Sequence, residues 1–460
     1  MTVTRAIVVL AAAALAAATA VAQDAAPAAI RTRVAEALAG IDAARIEADV
    51  RTLVGFGTRH VLSRTDSDTE GTGAARKWLR ERFEAIAADS NGRLLVSMQS
   101  AKVPCRRSGM PPEVEVVNVV ATLRGTTDPE RIYVVGGHYD SRNGDGADGV
   151  GIAPGAVDDA SGTALVLEAC RVLSRRALPA TILFVAYDGE EQGLLGSQAH
   201  AAALAAADAK VDGMITCDIV GNTRGMDGVR YRDFVRCFSY APTGNDSFGR
   251  SLARAVSYAA RTHVPDFAVK LIFRGDRYGR GGDHRSFFDR GYPSVRMTEP
   301  REDFSRQHQN LTERDGKPYG DLPDYADFAY TADVARVVVA TLAELASAPP
   351  PPLVSNAQLA RDAYDTQLVF ELPSGATDFE FVWRETTEPD WTHVVAAADA
   401  EVRRASSGRS VATLRGVCLD DVVVGVRTVG ADGSRSRVAT PPEPERFLQR
   451  PRGEGEGGGK

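Results

Sequence analysis

The chain has 460 residues, too many for one ordinary domain of roughly 100–200 residues and suited to two or three. Its 44% hydrophobic and 25% charged residues are those of a folded soluble protein. The 54 basic and 61 acidic side chains leave a net charge of −7, which removes the electrostatic case for a nucleic-acid partner.

Residues 1–22 carry one early charge, Arg5, an apolar run from Ala6 to Ala18, and the small-x-small end Ala20-Val21-Ala22 before Gln23. That pattern predicts a secretory signal peptide and a secreted or periplasmic product. The run is short and Ala-rich for a bilayer span, and no later segment has an apolar stretch long enough, so no stable membrane span is expected. Export implies an oxidising compartment, in which Cys105, Cys170, Cys217, Cys237 and Cys418 could include bridges, with at least one left over. Cys170 and Cys217 sit in apolar contexts that suit buried free thiols.

From residue 30, periodicity predicts helices over Ile30–Val54 and Thr72–Ala88, then strands over Arg93–Lys102 and Val114–Leu123 that extend one sheet edge. Short apolar strands at Ile132–Val135, Thr181–Ala186, Met214–Ile219 and Ser294–Met297 then alternate with helices at Ala160–Ser174, Gly193–Ala206 and Ser247–Ala260. Alternation of this kind predicts a three-layer α/β/α sandwich with a mainly parallel central sheet over residues 30–348. A last helix, from about Tyr325 to Ala346, meets Pro349-Pro350-Pro351-Pro352 and cannot continue, so residues 349–353 form a stiff linker. Beyond it, strands at Leu368–Glu371, Asp378–Arg384, Ser410–Arg415 and Val422–Val429, separated by turns, predict a small all-β sandwich over 354–445. Residues 446–460, Gly/Glu-rich at their end, are expected to be disordered.

Several groups placed at strand ends carry the chemistry. His138 follows the strand Ile132–Val135 in Gly136-Gly137-His138-Tyr139-Asp140-Ser141, where parallel sheets present functional groups. Asp140 could accept the second ring N–H of His138 and fix its tautomer. The same residues would also suit a structural, hydrogen-bonded histidine. Asp158 and Asp159 then open a helix; Asp159 could be its N-cap, but one cap needs only one carboxylate, which leaves the other to explain. Glu190 and Glu191 lie between an apolar strand and a glycine-rich turn, where they repel unless a cation or a proton relieves them; a solvated acidic turn is the plainer alternative. Asp218 is a lone carboxylate inside the apolar stretch Ile215-Thr216-Cys217-Asp218-Ile219, costly to bury unless paired or coordinated. His308 stands in the polar loop Arg306-Gln307-His308-Gln309-Asn310. His138, Asp158, Glu191, Asp218 and His308 thus offer nitrogen and oxygen ligands and no sulfur, more than one zinc usually takes and enough for two.

This ordered set resembles the zinc exopeptidase family of bacterial aminopeptidases, aminopeptidase Y and glutaminyl cyclases. The carriers are His138-Tyr139-Asp140, Gly155-Ala156-Val157-Asp158-Asp159-Ala160-Ser161-Gly162, Glu190-Glu191-Gln192-Gly193-Leu194-Leu195-Gly196-Ser197, Asp218 and His308, across about residues 50–345. The resemblance implies two Zn(2+) per chain, with Asp158 bridging, His138 and Asp218 completing one ion, and Glu191 and His308 the other. It implies Glu190 as general base and Asp140 as orienter of His138. His284, in Asp283-His284, matches a supporting element and is a reserve ligand. Two departures stand out: Gln307 precedes the late histidine, and the segment from Arg274 to Gly282 is unusually basic. Arg274, Arg280 and Arg296 could clamp an acidic group or a C-terminal carboxylate, or could simply neutralise nearby acids.

Downstream, Trp383-Arg384, Trp391 and Asp421-Val422-Val423-Val424-Gly425-Val426-Arg427 resemble a fibronectin type III domain, a kind of module that binds or spaces more often than it catalyses. The function expected is an exported dizinc exopeptidase, foremost an aminopeptidase, acting on peptide or protein substrates. The alternatives are a carboxypeptidase-type enzyme, another amidase or glutaminyl cyclase on the same scaffold, or a secreted binding protein with an inert peptidase fold. Surface, carbohydrate or protein contact would fall to the C-terminal domain.

Overall fold

A computed structural model describes residues 27–240, 246–360, 363–404 and 408–442. The expected signal peptide at 1–22 and tail at 446–460 lie outside the described residues.

The first helical stretch is two helices, α1 (Ala28–Leu38) and α2 (Ala43–Gly55), where periodicity predicts one. The interruption has two causes: Gly40 lies close against Val172, and the Asp42 side chain accepts from the Ala44 N–H at 2.9 Å, which caps a new helix. Helix α3 (Gly71–Ala88) leads into β1 (Leu94–Pro104) and β2 (Glu113–Leu123), an antiparallel pair at one sheet edge. The central elements follow as β3 (Asp128–His138), α4 (Ser161–Leu173), β4 (Ala180–Tyr187), α5 (Leu195–Ala206), β5 (Lys210–Cys217), β6 (Phe234–Ser239), α6 (Phe248–His263), β7 (Ala268–Ile272), α7 (His284–Phe288) and β8 (Ser294–Thr298). A short hairpin, β9 (Thr312–Arg314) and β10 (Lys317–Tyr319), precedes α8 (Phe328–Ser347).

The eight strands order as β1-β2-β4-β3-β5-β8-β6-β7. The inner pairings β4/β3, β3/β5 and β5/β8 are parallel, as is β6/β7, while β2/β4 and β6/β8 are antiparallel. Strands β6 and β7 are not among those that the sequence predicts; they are short, and β7 is an edge strand with no fully buried residue.

All eight residues of β4 are buried, because helices cover both faces. Ile182, Phe184 and Ala186 face the cluster built with α4 and α8, while Leu183, Val185 and Tyr187 face Ala201 of α5 and Phe287 of α7. The alternation of β side chains thus feeds two cores from one strand, the signature of an α/β/α sandwich. Truncating one of these side chains, such as Phe184→Ala, would cost about 3–5 kcal/mol.

After α8, strands β11 (Leu353–Leu359), β12 (Thr366–Glu371), β13 (Asp378–Glu385), β14 (His393–Ala396), β15 (Glu401–Arg404), β16 (Ser410–Leu414) and β17 (Val422–Val429) form two small antiparallel sheets. Phe370, Phe379 and Phe381 pack edge-on between them with Leu368, Val424 and Val426. These sheets rest on the α/β core through ion pairs, among them Arg437 with Asp212 at 2.8 Å. Among the described residues no helix is long and apolar enough to cross a membrane, and all five cysteines are free thiols, four of them buried.

Candidate metal centre

Chain direction brings the site together. Strands β3, β4 and β5 run parallel and end side by side, so His138, the turn after Tyr187 and Asp218 all arrive at one edge of the sheet. Helix α4 begins there as well. Its entry is so close to β5 that a Cβ on Gly162 would lie 1.9 Å from the Cys217 carbonyl oxygen, so only glycine fits.

Two overlapping trios result: His138, Asp158 and Asp218, and Asp158, Glu191 and His308, each with ligand atoms within 4.8 Å of one another. His138 Nε2 lies 3.1 Å from Asp158 Oδ1 and 3.8 Å from Asp218 Oδ1. His308 Nε2 lies 2.9 Å from Asp158 Oδ2 and 2.9 Å from Glu191 Oε1. Glu190 Oε2 is 4.0 Å from His138 Nε2. The structure therefore gathers all six of these residues into one cluster, with His138, Asp158, Glu191 and Asp218 buried and Glu190 and His308 half-buried.

The surrounding hydrogen bonds hold the cluster in place. Asp159 is the cap: its Oδ1 accepts from Gly162 N at 2.9 Å and its Oδ2 from His138 N at 3.1 Å, which frees Asp158 for the cluster. The Asp158–Asp159 peptide bond is cis. Asp140 serves two strand ends at once. Its backbone oxygen lies 3.1 Å from His138 Nδ1, and its carboxylate accepts from Glu190 N at 3.0 Å and Glu191 N at 3.1 Å. His284 is not drawn in, since its Nε2 lies 2.7 Å from the Gly275 carbonyl oxygen.

The arginines separate. Arg296 is wholly buried, with Nη2 2.9 Å from Asp218 Oδ1 and Nη1 bonded to Asp276 at 3.2 Å and to Gly281 O at 2.6 Å. That corrects its reading as a substrate clamp: the guanidinium is committed inside the protein. Arg280 is partly exposed beside Glu302 at 3.6 Å, and Arg274 is exposed over the Tyr278 ring. Gln307 bonds Glu302 at 2.8 Å, which ties the His308 loop to this basic segment.

Sequence patterning missed three groups. Asp321 accepts from the backbone N–H groups of Val157 and Asp158. Arg59, wholly buried, donates to the carbonyls of Pro154 and Gly155 at 2.7 and 2.8 Å. Arg142 joins Glu191 Oε2 at 2.9 Å to His308 Nδ1 at 2.6 Å. Only Arg142 left a signal, one residue past the His138-to-Ser141 motif.

Burial, reinforced by the charges of Asp218 and Glu191, pushes the Glu190 carboxyl well above its usual range, against the pull of His138. Asp158 goes the other way: burial is outweighed by His308 and His138, which hold it well below. For His308, burial opposes protonation but Glu191 and Asp158 raise it to about 10, whereas the Arg142 guanidinium beside Nδ1 disfavours a second ring N–H. Asp321 is pushed up to about 7 by burial.

These residues fit a cation. Glu191 Oε1 and Asp218 Oδ1 are buried without a hydrogen bond, although each lies 2.9 Å from a charged neighbour. Orphaned carboxylate oxygens beside imidazoles, with no thiolate, are the donors that zinc and similar divalent ions take.

Residues 118–328 match the description of peptidase family M28. A probable zinc metalloprotease of Phaeosphaeria nodorum is 40% identical over 427 residues, covering 86% of this chain and 85% of that protein. One of Pyricularia oryzae is 41% identical over 430 residues, covering 88% and 83%. Among solved structures, the Legionella pneumophila LapA aminopeptidase aligns with a TM-score of 0.52 at 21% identity over 69% of this chain and 75% of its own, a likeness of fold.

Proposed function

From the premise that this chain belongs to peptidase family M28, and so is a zinc metallopeptidase, we propose that it is an exported dizinc exopeptidase of the aminopeptidase type. The observation that carries the proposal is the sharing of Asp158 between two trios, with Glu190 4.0 Å from His138. His138, Asp158 and Asp218 would hold one zinc, and Asp158, Glu191 and His308 the other. Zinc, when bound, supplies Lewis-acid polarisation of the scissile carbonyl and acidifies water at the site.

The chain's own groups do the rest. Glu190 takes a proton at its carboxylate from the attacking water and delivers it to the leaving amine nitrogen. Asp140 keeps Glu190 in reach by gripping its backbone N–H, and steadies His138 from behind. The burial of His138, Asp140 and Asp218 limits water around the reacting atoms.

Removal of N-terminal residues is favoured because the cluster is rich in carboxylates that suit a free α-ammonium group. The name of LapA, an aminopeptidase of shared fold, leans the same way. The partly exposed Arg280 and exposed Arg274 favour a second reading, in which a substrate carboxylate is held and the enzyme trims C-termini. Export rests on the leader pattern at 1–22, and the C-terminal sheets are offered as a contact surface for protein or carbohydrate.

The test is zinc content per chain together with hydrolysis of aminoacyl chromogenic amides and of N-blocked peptides, for wild type and Glu190→Gln. Two zincs in both proteins, with aminoacyl amides cleaved only by the wild type, is the expected result. Cleavage of N-blocked peptides alone would move the assignment to the carboxypeptidase-type reading. A protein that takes up no zinc and cleaves neither substrate would end the catalytic proposal.

A further inference from the structure

The basic segment that follows β7 reaches the metal centre from two sides. Gly281 O accepts from Arg296 Nη1 at 2.6 Å, and Arg296 Nη2 lies 2.9 Å from Asp218 Oδ1. On the other side Glu302, which pairs with this segment, accepts from Gln307 Nε2 at 2.8 Å, one residue before His308. Arg280 therefore stands at the rim of the site, joined to it through Gly281 and Arg296 in one direction and through Glu302 and Gln307 in the other.

Glu302 has too few lone pairs for its neighbours. Its Oε1 lies 3.1 Å from Arg236 Nη2, while its Oε2 takes Arg277 Nη1 at 3.0 Å as well as the Gln307 amide. A carboxylate oxygen accepts about two hydrogen bonds, so Oε2 is full. Arg280 Nη1 stops 3.6 Å from it, and the Arg280 side chain makes no hydrogen bond among the described residues. Arg277 has a second carboxylate in Asp276, and Arg236 has the Glu299 carbonyl; Arg280 has no such second partner among them. Its side chain is also the most open of the three, 31% exposed against 18% for Arg236 and 9% for Arg277. A guanidinium keeps its charge at any ordinary pH, so a partly buried one with idle donors is set to take an anion. In a chain of net charge −7 this spot is a local exception.

We propose that Arg280 is a specificity residue that receives an acidic side chain of the substrate, so that the enzyme favours peptides carrying Asp or Glu near the end that is cut. The planar fork of the guanidinium matches a carboxylate in two-pronged geometry. A C-terminal carboxylate has the same chemistry, but in the aminopeptidase reading it reaches the rim only in the shortest peptides, whereas a side chain is presented by substrates of any length. Arg280 selects and orients the substrate and touches no reacting atom. The inference rests on the peptidase reading given above and names the substrate class within it.

Peptides with a free N-terminus and an amidated C-terminus, carrying Glu or Gln at the first, second or third residue, test this with the zinc-loaded full chain, wild type and Arg280→Met. Glu and Gln differ in charge at nearly equal size. At one of the three positions the wild type should show kcat/KM higher for Glu than for Gln by on the order of ten-fold, a ratio that falls with added salt and comes close to one in Arg280→Met. Should Arg280→Met melt low, Arg280→Gln takes its place with the same expectation. A ratio near one at all three positions in the wild type, or a preference that survives the substitution, overturns the proposal and leaves the peptidase reading standing. So does a gain that appears only when the peptides carry a free C-terminal carboxylate and is lost in the variant, which identifies the chain end as the anion. Wild type that cleaves none of the peptides, amidated or free, overturns the peptidase reading itself and this inference with it.

Discussion

At the seam between the C-terminal sheets and helix α6, Glu380 meets Arg427 at 2.8 Å and Arg435 at 3.0 Å, and Asp246 meets Arg254 at 2.7 Å. At the metal centre Asp158, Asp218, Glu190 and Glu191 crowd together, with Arg296 and Arg142 pairing only the outer members. Both regions bury charge, yet at the seam each of these carboxylates has guanidinium groups beside it, while the centre is short of positive charge. Burying an ion costs several kcal/mol unless it is paired, so the seam supports structure by itself, whereas the centre calls for a cation from outside. His200 is a third case, buried between Tyr187 and Phe287 with no charged partner of either sign among the described residues. It gives up its charge: burial pushes its pKa down to about 4.

The sharpest test of this contrast is Glu190→Gln. It removes one negative charge from the crowded centre and should lower kcat by about 10²–10⁴-fold with zinc content unchanged, measured by steady-state hydrolysis and metal analysis. Glu380→Ala does the opposite at the seam, removing the carboxylate that Arg427 and Arg435 share, and should cost about 3–5 kcal/mol in urea unfolding while zinc content per folded molecule stays the same. If Glu380→Ala were harmless, the seam would not be the self-sufficient region described here.

His200 sets a pH dependence. Its folded pKa, about 4, lies below the ordinary histidine value, so between those two values the unfolded chain binds the extra proton. The contribution is fully present above about pH 6.5 and is lost as pH falls toward 4, by roughly 3 kcal/mol in all. His200→Gln should flatten that part of the acid limb when unfolding is compared at pH 7 and pH 4. The smallest effect belongs to Arg409, paired with Glu371 at 3.0 Å on the surface; Arg409→Ala should change stability by less than about 1 kcal/mol in the same assay.

Much of the centre was legible because its residues sit in short motifs at strand ends, where local pattern and final position coincide. Asp218 illustrates the point, as a carboxylate inside an apolar strand announces an unusual environment. The division of labour between Asp158 and Asp159 was legible in outline: one cap needs one carboxylate, and Asp159, the candidate for it, accepts from the Gly162 N–H. Arg296 was misread because its basic neighbourhood resembles a surface clamp, while its partners Asp276 and Asp218 lie 20 and 78 residues away. The missing strands β6 and β7 have little apolar alternation, being short and near the edge of the sheet.

By itself the sequence determined the alternation of strands and helices and the proline stop after α8, because periodicity acts within a few residues; which carboxylates and imidazoles belong together followed from the resemblance to a known family. The tertiary structure alone decided that Arg142 grips His308 across 166 residues, that Asp321 steadies Asp158 across 163, and that Arg296 turns inward. Such contacts depend on where separate loops meet above the sheet, and no local pattern in the chain encodes that meeting.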